Sequence, residues 1–289
     1  MTAPHRITFV GIGAIGLPMA EQLLAAGFEV TGVDPFPAQR ERAAARGLRT
    51  EEAPTSAAGA DVVICMVATP DQLRAAALGE QGLLARLRDG AVLVVMSTVG
   101  PDAVREVAGA APAGVHVLDV PVTGGVARAT TGELSLFASG DPAVVERVRP
   151  VLEALGTVRD CGPEVGQGQS YKVVNQLLCS VHIVAAAEAL ALAERLGLDP
   201  EQVLPAVAGG AGGSWMLSDR GPRMLQGLDA DVTSTIGIFV KDSTLVQEVA
   251  DRVGLDVPVL AAARARYRAA QEAGWERVDD SQVIQTYRG

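Results

Sequence analysis

Short apolar runs alternate with amphipathic segments along the first half of the chain. Several runs are apolar at every position and rich in β-branched residues, which is typical of parallel strands covered by helices on both faces. The pattern predicts strands at residues 7–10, 30–33, 62–67, 92–96, 115–120 and 134–138, with helices at residues 14–26 and 142–155. This alternation indicates an α/β protein with a doubly wound parallel sheet.

Helical periodicity takes over after residue 162, where no run has the pattern of a strand. It predicts helices at residues 169–196, 200–208, 216–225, 236–253 and 258–273. Polar residues interrupt the apolar stretch 173–192, which favours a buried helix over a membrane span. We therefore predict an α/β domain over residues 1–164 and an all-α domain over residues 165–289, joined by the long helix.

A glycine-rich turn, GIGAIG at residues 11–16, joins the first predicted strand to the first helix. It matches G-x-G-x-x-G, whose glycines allow a tight turn, approach to a pyrophosphate and close packing of helix on strand. A purely structural turn is the alternative, but the position at the start of a βαβ unit favours a Rossmann-type dinucleotide site. Its residues are expected to be Gly11, Gly13, Ala14, Ile15 and Gly16.

An acidic residue, Asp34, ends the second predicted strand about 20 residues further on, where it can bond the ribose hydroxyls. Its carboxylate would repel the 2′-phosphate of NADP, by about 1–4 kcal/mol at close range, so NAD is favoured over NADP. Arg40 and Arg42 follow closely and could accommodate that phosphate instead. The alternative for Asp34 is a turn or capping residue before Pro35.

The loops after the next two predicted strands should also line a dinucleotide, because ligands in such sheets lie beyond the carboxyl ends of the strands. We expect Met66, Val67 and Thr98 to contact the cofactor. Ser97 and Thr98 have an alternative role as caps of the helix that begins near Pro101.

The segment DVPVTGG at residues 119–125 follows another predicted strand. Thr123, Gly124 and Gly125 combine a hydroxyl with two glycines, and such a nest of backbone donors suits a carboxylate. An ordinary turn is the alternative at these positions.

Only two lysines, Lys172 and Lys241, stand among 24 lysine and arginine residues. In an arginine-biased chain a lysine is a candidate for specific chemistry, because lysine can lose its proton and arginine effectively cannot. Within GQGQSYKVVNQ at residues 166–176, one helix face carries Lys172, Asn175 and Gln176. Apolar neighbours disfavour the charged form of a lysine and prepare it for acid–base work. A lysine that extends to solvent is the alternative.

The formal net charge is −10 and no basic block stands out, so we expect neither nucleic acid nor an anionic membrane as a partner. The three cysteines lack metal-ligand spacing, which predicts buried free thiols in a reducing cytoplasm and no metal site. A strand begins within a few residues of the N-terminus, so no secretory signal is expected.

Four blocks occur in order: GIGAIGLPMA at residues 11–20, DVPVTGG at 119–125, GQGQSYKVVNQ at 166–176 and KD at 241–242. Through them essentially the whole chain resembles the β-hydroxyacid dehydrogenases, the group that contains 3-hydroxyisobutyrate dehydrogenase and tartronate semialdehyde reductase. The resemblance implies that Lys172 is the general acid/base, that Asn175 helps hold the substrate and that Lys241 lies by the nicotinamide. It also implies that residues 123–125 bind the substrate carboxylate.

Many members of this group have serine where this chain has Thr123, and the resemblance leaves the role of Gln176 open. The segment SWMLSDRGPRM at residues 214–224 is most similar to the branch that contains L-threonate dehydrogenase. This branch suggests a polyhydroxylated acid as the substrate.

The expected function is hydride transfer between a nicotinamide cofactor and a small β-hydroxy acid or its semialdehyde. We expect a homodimer or tetramer formed through the all-α domain, because its long apolar helix needs a cover. The alternatives are an imine reductase of similar architecture and a non-catalytic dinucleotide-binding module. Lys172 argues against both, since each would be expected to lack a functional lysine at this position.

Overall fold

The computed structural model describes residues 6–288. Within it the chain divides into two compact units, Met1–Lys172 and Val173–Gly289. The strands are β1 (Arg6–Val10), β2 (Glu29–Val33), β3 (Arg49–Glu51), β4 (Val62–Cys65), β5 (Val92–Val95), β6 (His116–Asp119), β7 (Val122–Thr123), β8 (Leu134–Ala138) and β9 (Gly156–Asp160). The helices are α1 (Gly16–Ala25), α2 (Pro37–Ala44), α3 (Pro70–Ala77), α4 (Leu83–Arg86), α5 (Pro101–Gly109), α6 (Gly125–Thr131), α7 (Pro142–Glu153), α8 (Gln167–Arg195), α9 (Pro200–Ala208), α10 (Trp215–Gln226), α11 (Ile236–Arg252), α12 (Pro258–Glu272) and α13 (Gln285–Arg288).

A six-stranded parallel sheet forms the centre of the first unit, in the order β3-β2-β1-β4-β5-β6. Successive side chains of β4 and β5 enter two different apolar clusters, one on each face: Val62 and Ile64 belong to one, Val63 and Cys65 to the other. This burial on both faces confirms the doubly wound α/β prediction. The strand order reverses between β1 and β4, which creates a crevice at their carboxyl ends.

A second, three-stranded sheet contains the strand predicted at residues 134–138, whereas the sequence pattern indicated only a single parallel sheet. Strand β8 pairs antiparallel with β7 and parallel with β9. Its side chains alternate between buried and half-buried, the pattern of a strand that packs on one face only. An isolated antiparallel bridge between Asp119 and Ser139 joins the end of β6 to the end of β8.

Several short elements escaped the sequence pattern, namely β3, β7, β9, α2, α3, α4, α6 and α13. Helix α2 buries only Ala43 among its eight residues, so it has almost no apolar periodicity. The predicted strands at residues 62–67 and 92–96 end earlier, at Cys65 and Val95. Their last apolar residues belong to loops, which periodicity alone does not separate from a strand.

The described part of the second unit is helical and contains no strand beyond an isolated bridge between Thr235 and Asp279, in agreement with the all-α prediction. Its core includes the stacked rings of Phe239 and Tyr267, whose centroids lie 5.4 Å apart. The hydroxyl of Tyr267 donates a hydrogen bond of 2.9 Å to the carbonyl of Ser180 in α8. These contacts fix the second part of α8 against α11 and α12.

Helix α8 is the one described helix that is long and apolar enough to cross a membrane, yet half of its most apolar 18-residue window is buried. Core helices of soluble proteins pass the same test, so this is weak evidence for a span. The cysteine prediction is partly wrong: Cys65 and Cys161 are buried free thiols, but Cys179 is half-buried. Burial raises the pKa of Cys65 to about 12, which makes it an inert thiol.

Candidate active site

The glycine turn between β1 and α1 has the close approaches that only glycine permits. A Cβ at Gly11 would lie 2.2 Å from the carbonyl oxygen of Met66, and Gly11 has a φ of +93°. A Cβ at Gly16 would lie 1.9 Å from the carbonyl oxygen of Gly11. These two glycines therefore hold the turn and the helix against the neighbouring backbone.

The second glycine of the turn, Gly13, differs from its neighbours because a Cβ there would meet nothing within 4 Å. The adjacent Ala14 is exposed, and Ile15 caps α1 without a side-chain hydrogen bond. Open space over a backbone that leads into a helix N-terminus fits the pyrophosphate of a dinucleotide. The residues present thus fit the cofactor that the sequence predicts.

Asp34, at the end of β2, is buried, and its Oδ1 accepts a hydrogen bond of 3.0 Å from the backbone N–H of Phe36. The guanidinium of Arg40 donates to the carbonyls of Asp34 (2.8 Å) and Pro35 (2.9 Å). Arg40 also lies 3.6 Å from the carboxylate of Glu52. Asp34 thus has a turn role as well as a position suited to ribose, and Arg40 is engaged in holding that turn.

The loops after β4 and β5 are joined by Ser97, whose Oγ accepts a hydrogen bond of 2.7 Å from the backbone N–H of Val67. Met66 and Thr98 are half-buried beside this junction. The capping alternative for Ser97 and Thr98 is wrong, because Gly100 is the N-cap of α5 and no side chain caps that helix.

The segment from β7 to α6 contains the predicted carboxylate nest. Thr123 ends β7, Gly124 has a φ of +133° and Gly125 has a φ of +68° at the start of α6. All three are half-buried, and a Cβ at Gly125 would meet nothing within 4 Å. The positive φ values of the two glycines and the open space over Gly125 suit backbone donors that receive an anion, whereas Gly124 packs against Arg128, 2.8 Å from where its Cβ would lie.

Lys172 lies in the second turn of α8 and is 6% exposed. The start of this helix is fixed by two fully buried polar residues that the sequence analysis did not single out, Gln169 and Asp119. The amide of Gln169 donates 2.9 Å hydrogen bonds to the carbonyl of Ser97 and to Asp119 Oδ1. The helix that carries Lys172 is therefore anchored to the ends of β5 and β6.

Burial raises the pKa of Asp119 to about 6, although hydrogen bonds from Gln169, Ser139 and Gly166 oppose the shift. These hydrogen bonds favour the charged form of the carboxylate, against the cost of its burial. The sequence signal that could have identified Asp119 is its place as an acidic residue at the end of an apolar strand. A buried carboxylate at such a position needs hydrogen-bond partners.

A chain of polar contacts also connects candidate residues of the second unit. Asn175 donates to Gln176 (2.8 Å), and Gln176 donates to Asp242 Oδ2 (2.5 Å). Asp242 Oδ1 lies 2.7 Å from Nζ of Lys241. The role of Gln176, left open by the sequence, is to bridge Asn175 and the Lys241–Asp242 pair.

Across residues 6–288, no cluster of three or more His, Cys, Asp and Glu side chains is arranged to hold a metal ion. The chemistry of the described residues is that of a dinucleotide crevice, an anion nest and a buried lysine.

Comparison with known proteins identifies the family. Residues 6–166 match the model for the NAD binding domain of 6-phosphogluconate dehydrogenase, and residues 166–287 match NAD-binding of NADP-dependent 3-hydroxyisobutyrate dehydrogenase. L-threonate dehydrogenase of Cupriavidus necator is 37% identical over 99% of this chain and 97% of its own. The enzyme of that name from Escherichia coli O6:H1 is 36% identical, over 98% and 95% of the two chains. The chain belongs to the β-hydroxyacid dehydrogenase family.

Solved structures agree with this assignment. A 3-hydroxyisobutyrate dehydrogenase from Salmonella typhimurium is 33% identical with a TM-score of 0.90, covering 98% of this chain and 99% of that chain. The Mycobacterium tuberculosis 3-hydroxyisobutyrate dehydrogenase with L-serine is 32% identical with a TM-score of 0.85 and full coverage of both chains. An imine reductase from Pseudomonas sp., at 18% identity and a TM-score of 0.64 over 98% of this chain and 99% of its own, shares the fold alone.

This β-hydroxyacid dehydrogenase is therefore an NAD(P)-dependent oxidoreductase that acts on hydroxy acids. The comparisons disfavour both alternative functions. Imine reductases are only distant neighbours, and the relatives of this chain are enzymes, which argues against a non-catalytic dinucleotide-binding module. The predicted boundary between residues 164 and 165 stays a prediction, and the matches to the two family models meet at residue 166.

The open space at Gly13 generates a test of the cofactor crevice. We expect Gly13→Ala to fold normally but to bind NAD at least about tenfold more weakly, because the new methyl group occupies the approach to the pyrophosphate. Isothermal titration calorimetry with NAD measures the loss. Gly109→Ala is the matched control, since a Cβ at this exposed position in α5 also meets nothing within 4 Å. Equal NAD affinities in the two variants would mean that the turn is structural only.

Proposed function

We propose that Lys172 is the general acid/base of this hydroxyacid dehydrogenase. The observation that carries the proposal is its burial, at 6% exposure, one helical turn after a residue bonded to the ends of β5 and β6. Burying a charged lysine costs free energy, so a lysine at such a position is a candidate for specific chemistry. Lys172 is also one of only two lysines in the chain.

In this mechanism a bound nicotinamide supplies the acceptor or the donor of hydride. During oxidation, Nζ of neutral Lys172 takes the proton from the substrate hydroxyl, and during reduction the ammonium returns it. The positive charge of the ammonium stabilises the developing alkoxide without a metal ion. Thr123, Gly124 and Gly125 hold the substrate carboxylate, which fixes the hydroxyl at a constant distance from Nζ.

The remaining assignments follow from the family motifs. Gly11, Gly13, Ala14, Ile15 and Gly16 would receive the pyrophosphate. Met66, Val67 and Thr98 would line the cofactor from the loops after β4 and β5. On the resemblance of their motifs alone, Asn175 would contact substrate and Lys241 would contact the nicotinamide.

A small polyhydroxylated acid of the L-threonate type is the proposed substrate. The support is the 33–37% identity to several bacterial L-threonate dehydrogenases, over nearly the full length of the chain. The segment at residues 214–224, on α10, carries the resemblance to that branch. Turnover assays with L-threonate, 3-hydroxyisobutyrate and glycerate rank the candidates within one set of measurements.

Two substitutions at one position separate proton transfer from charge. We expect Lys172→Met to lower kcat by about 10²- to 10⁴-fold, because general acid–base catalysis contributes about this factor. Lys172→Arg keeps a positive charge but cannot release its proton, so it should be equally impaired. Steady-state kinetics measures both, and NAD titration shows whether the cofactor crevice is intact. Turnover near the wild-type value in Lys172→Met, with NAD bound normally, would refute the assignment.

NAD is the proposed physiological cofactor, in preference to NADP. Asp34 offers a buried carboxylate where a 2′-phosphate would have to lie, and this repulsion costs about 1–4 kcal/mol at close range. Arg40, the nearest cation along the chain, is committed to the carbonyls of Asp34 and Pro35. Its guanidinium is thereby less available to a phosphate.

Removing one negative charge tests this preference. We expect Asp34→Asn to shift the ratio of NADP to NAD affinity by about tenfold or more toward NADP, because the repulsion is lost while the shape is kept. Calorimetric titrations with both nucleotides measure the ratio. Glu52→Gln is the control: this acid also neighbours Arg40, but its side chain is 76% exposed, so the ratio should change little. An unchanged ratio in Asp34→Asn would contradict the proposal.

A homodimer or tetramer formed through the exposed face of α8 is the proposed assembly. Val174, Leu178 and Leu192 are 64%, 48% and 58% exposed, and their separations of four and fourteen residues bring them to one helix face. Ala185 and Ala189, also exposed, lie between them on that face. Such an apolar stripe suits a self-complementary contact with a second copy.

A pair of equally exposed leucines tests the assembly. We expect Leu192→Arg to yield a single-chain mass in sedimentation equilibrium, because the charge would have to be buried in the contact. Leu255→Arg is the matched control, since Leu255 is also 58% exposed but lies outside α8. A single-chain mass for the wild type, or an unchanged assembly in Leu192→Arg, would contradict the proposal.

The free thiols are consistent with a cytoplasmic location, which we propose for the assembled enzyme.

A further inference from the structure

We propose that Gln169 and Asp119 are positioning residues that set the place of the Lys172 ammonium. This inference rests on the proposed function of Lys172 and adds to it how the lysine is held. It depends on one cluster of buried hydrogen bonds in the first unit, centred on Gln169 and Asp119, which are both 0% exposed.

The amide of Gln169 is oriented by four contacts. Its Oε1 accepts hydrogen bonds from the backbone N–H groups of Val99 (3.0 Å) and Gly100 (2.9 Å). Its Nε2 donates to the carbonyl of Ser97 and to Asp119 Oδ1, both at 2.9 Å. Both protons of the amide nitrogen are used, and the oxygen receives two donors, so only one orientation satisfies all partners. Gln169 thereby joins α8 to the loop that carries Thr98.

The carboxylate of Asp119 completes the first turn of α8. Its Oδ2 accepts from the backbone N–H groups of Gln169 (2.8 Å) and Gly166 (3.0 Å) and lies 3.2 Å from the hydroxyl of Ser139. The N–H groups at a helix start have no partner within the helix, and a negative charge there is favourable. Asp119 therefore fixes the N-terminus of α8 to the end of β6.

Close packing leaves this helix start no freedom to slide. The backbone N–H of Gly168 donates to Ser139 Oγ at 2.9 Å. A Cβ at Gly168 would lie 2.3 Å from the carbonyl oxygen of Phe137 and 2.9 Å from that of Asp119. The first turn of α8 thus rests directly on the ends of β6 and β8.

The position of Lys172 follows from this anchorage, because it lies three residues after Gln169 in the same helix. A shift of the first turn would be passed to Nζ, and displacement of a catalytic group by about 1 Å can cost about 100-fold in rate. A buried polar cluster is seldom the most stabilising way to fill such a space. The presence of this polar cluster is explained if its hydrogen bonds allow only one position of α8 relative to the ends of β5 and β6.

The test reverses one hydrogen bond. Gln169→Glu places a carboxylate oxygen against Ser97 and Asp119, so we expect kcat to fall about 100-fold while KM for the hydroxy acid changes less than about threefold. In the double variant Gln169→Glu/Asp119→Asn, the new amide of residue 119 can donate to the new carboxylate. We expect that variant to recover at least about tenfold of the lost kcat.

A direct readout of Lys172 is possible because the chain has only two lysines. Biosynthetic labelling with [13Cε]lysine should give two NMR resonances, and Lys241→Arg assigns them. We expect Gln169→Glu to move or split the Lys172 resonance and to leave the Lys241 resonance in place. The double variant should return it toward the wild-type position. A stabilising role without positioning would change the melting temperature but neither the resonance nor the split between kcat and KM.

A matched control makes the same chemical change elsewhere. Gln202 donates a 2.9 Å hydrogen bond to Asp199 at the exposed start of α9, so Gln202→Glu also sets a carboxylate against an aspartate. It should leave kcat and the Lys172 resonance unchanged. If Gln169→Glu does not fold, Ser139→Ala replaces it, since it removes only the hydroxyl between Asp119 and Gly168; kcat should then fall about three- to tenfold.

The outcomes separate this inference from the proposed function. A Lys172→Met enzyme that retains turnover refutes the role of Lys172 itself. If Lys172→Met is inactive but the Gln169→Glu enzyme keeps its kcat and its Lys172 resonance, only the positioning role is overturned. If the double variant recovers nothing while remaining folded, the Gln169–Asp119 bond is not the contact that matters, and the inference fails.

Discussion

The hydrogen bonds between Asp119, Gln169 and the loop at Ser97 bring together parts of the first unit that are far apart in the sequence. Asp119 is contributed by β6, Ser97 by the loop after β5, and Gln169 by the first turn of α8. Because Asp119 is fully buried, its carboxylate is tolerated only with its hydrogen-bond partners in place. The same hydrogen bonds hold together the end of β6, the loop after β5 and the start of α8, the helix on which Lys172 lies.

Sequence patterns were sufficient for the elements whose burial is uniform. Strands β4 and β5 are apolar at every position and were recognised as buried parallel strands, and the glycine turn identified the crevice at the carboxyl end of β1. Strand β8 was recognised, but not its sheet, because sheet membership depends on β7 and β9, which are too short or too polar to show periodicity. Local pattern thus predicts elements, while pairing between distant segments decides their arrangement.

The site residues divide in the same way. Lys172, Asn175 and the nest at residues 123–125 could be proposed because spacing or motif marks them within a few positions. Gln169 and Asp119 are 50 residues apart, and no local sequence pattern at either residue indicates that the two side chains are hydrogen-bonded to each other. The turn role of Arg40 was likewise invisible, since an arginine behind a strand end is equally suited to a phosphate or to two backbone carbonyls. Polar groups with distant partners are what the sequence alone could not resolve.

The two lysines show why the chemistry of a side chain, and not only its charge, is retained in this arginine-biased chain. At Lys172 a guanidinium would bring five N–H donors into a buried position, and each would need an acceptor. An ammonium is compact, and it can also become neutral, which lowers the cost of burying it. At Lys241 the ammonium meets Asp242, whose other oxygen receives Gln176, so a small point charge fits where a planar fork would compete with an existing hydrogen bond. A compact ammonium therefore suits both positions better than a guanidinium, although only Lys172 lies on the anchored start of α8.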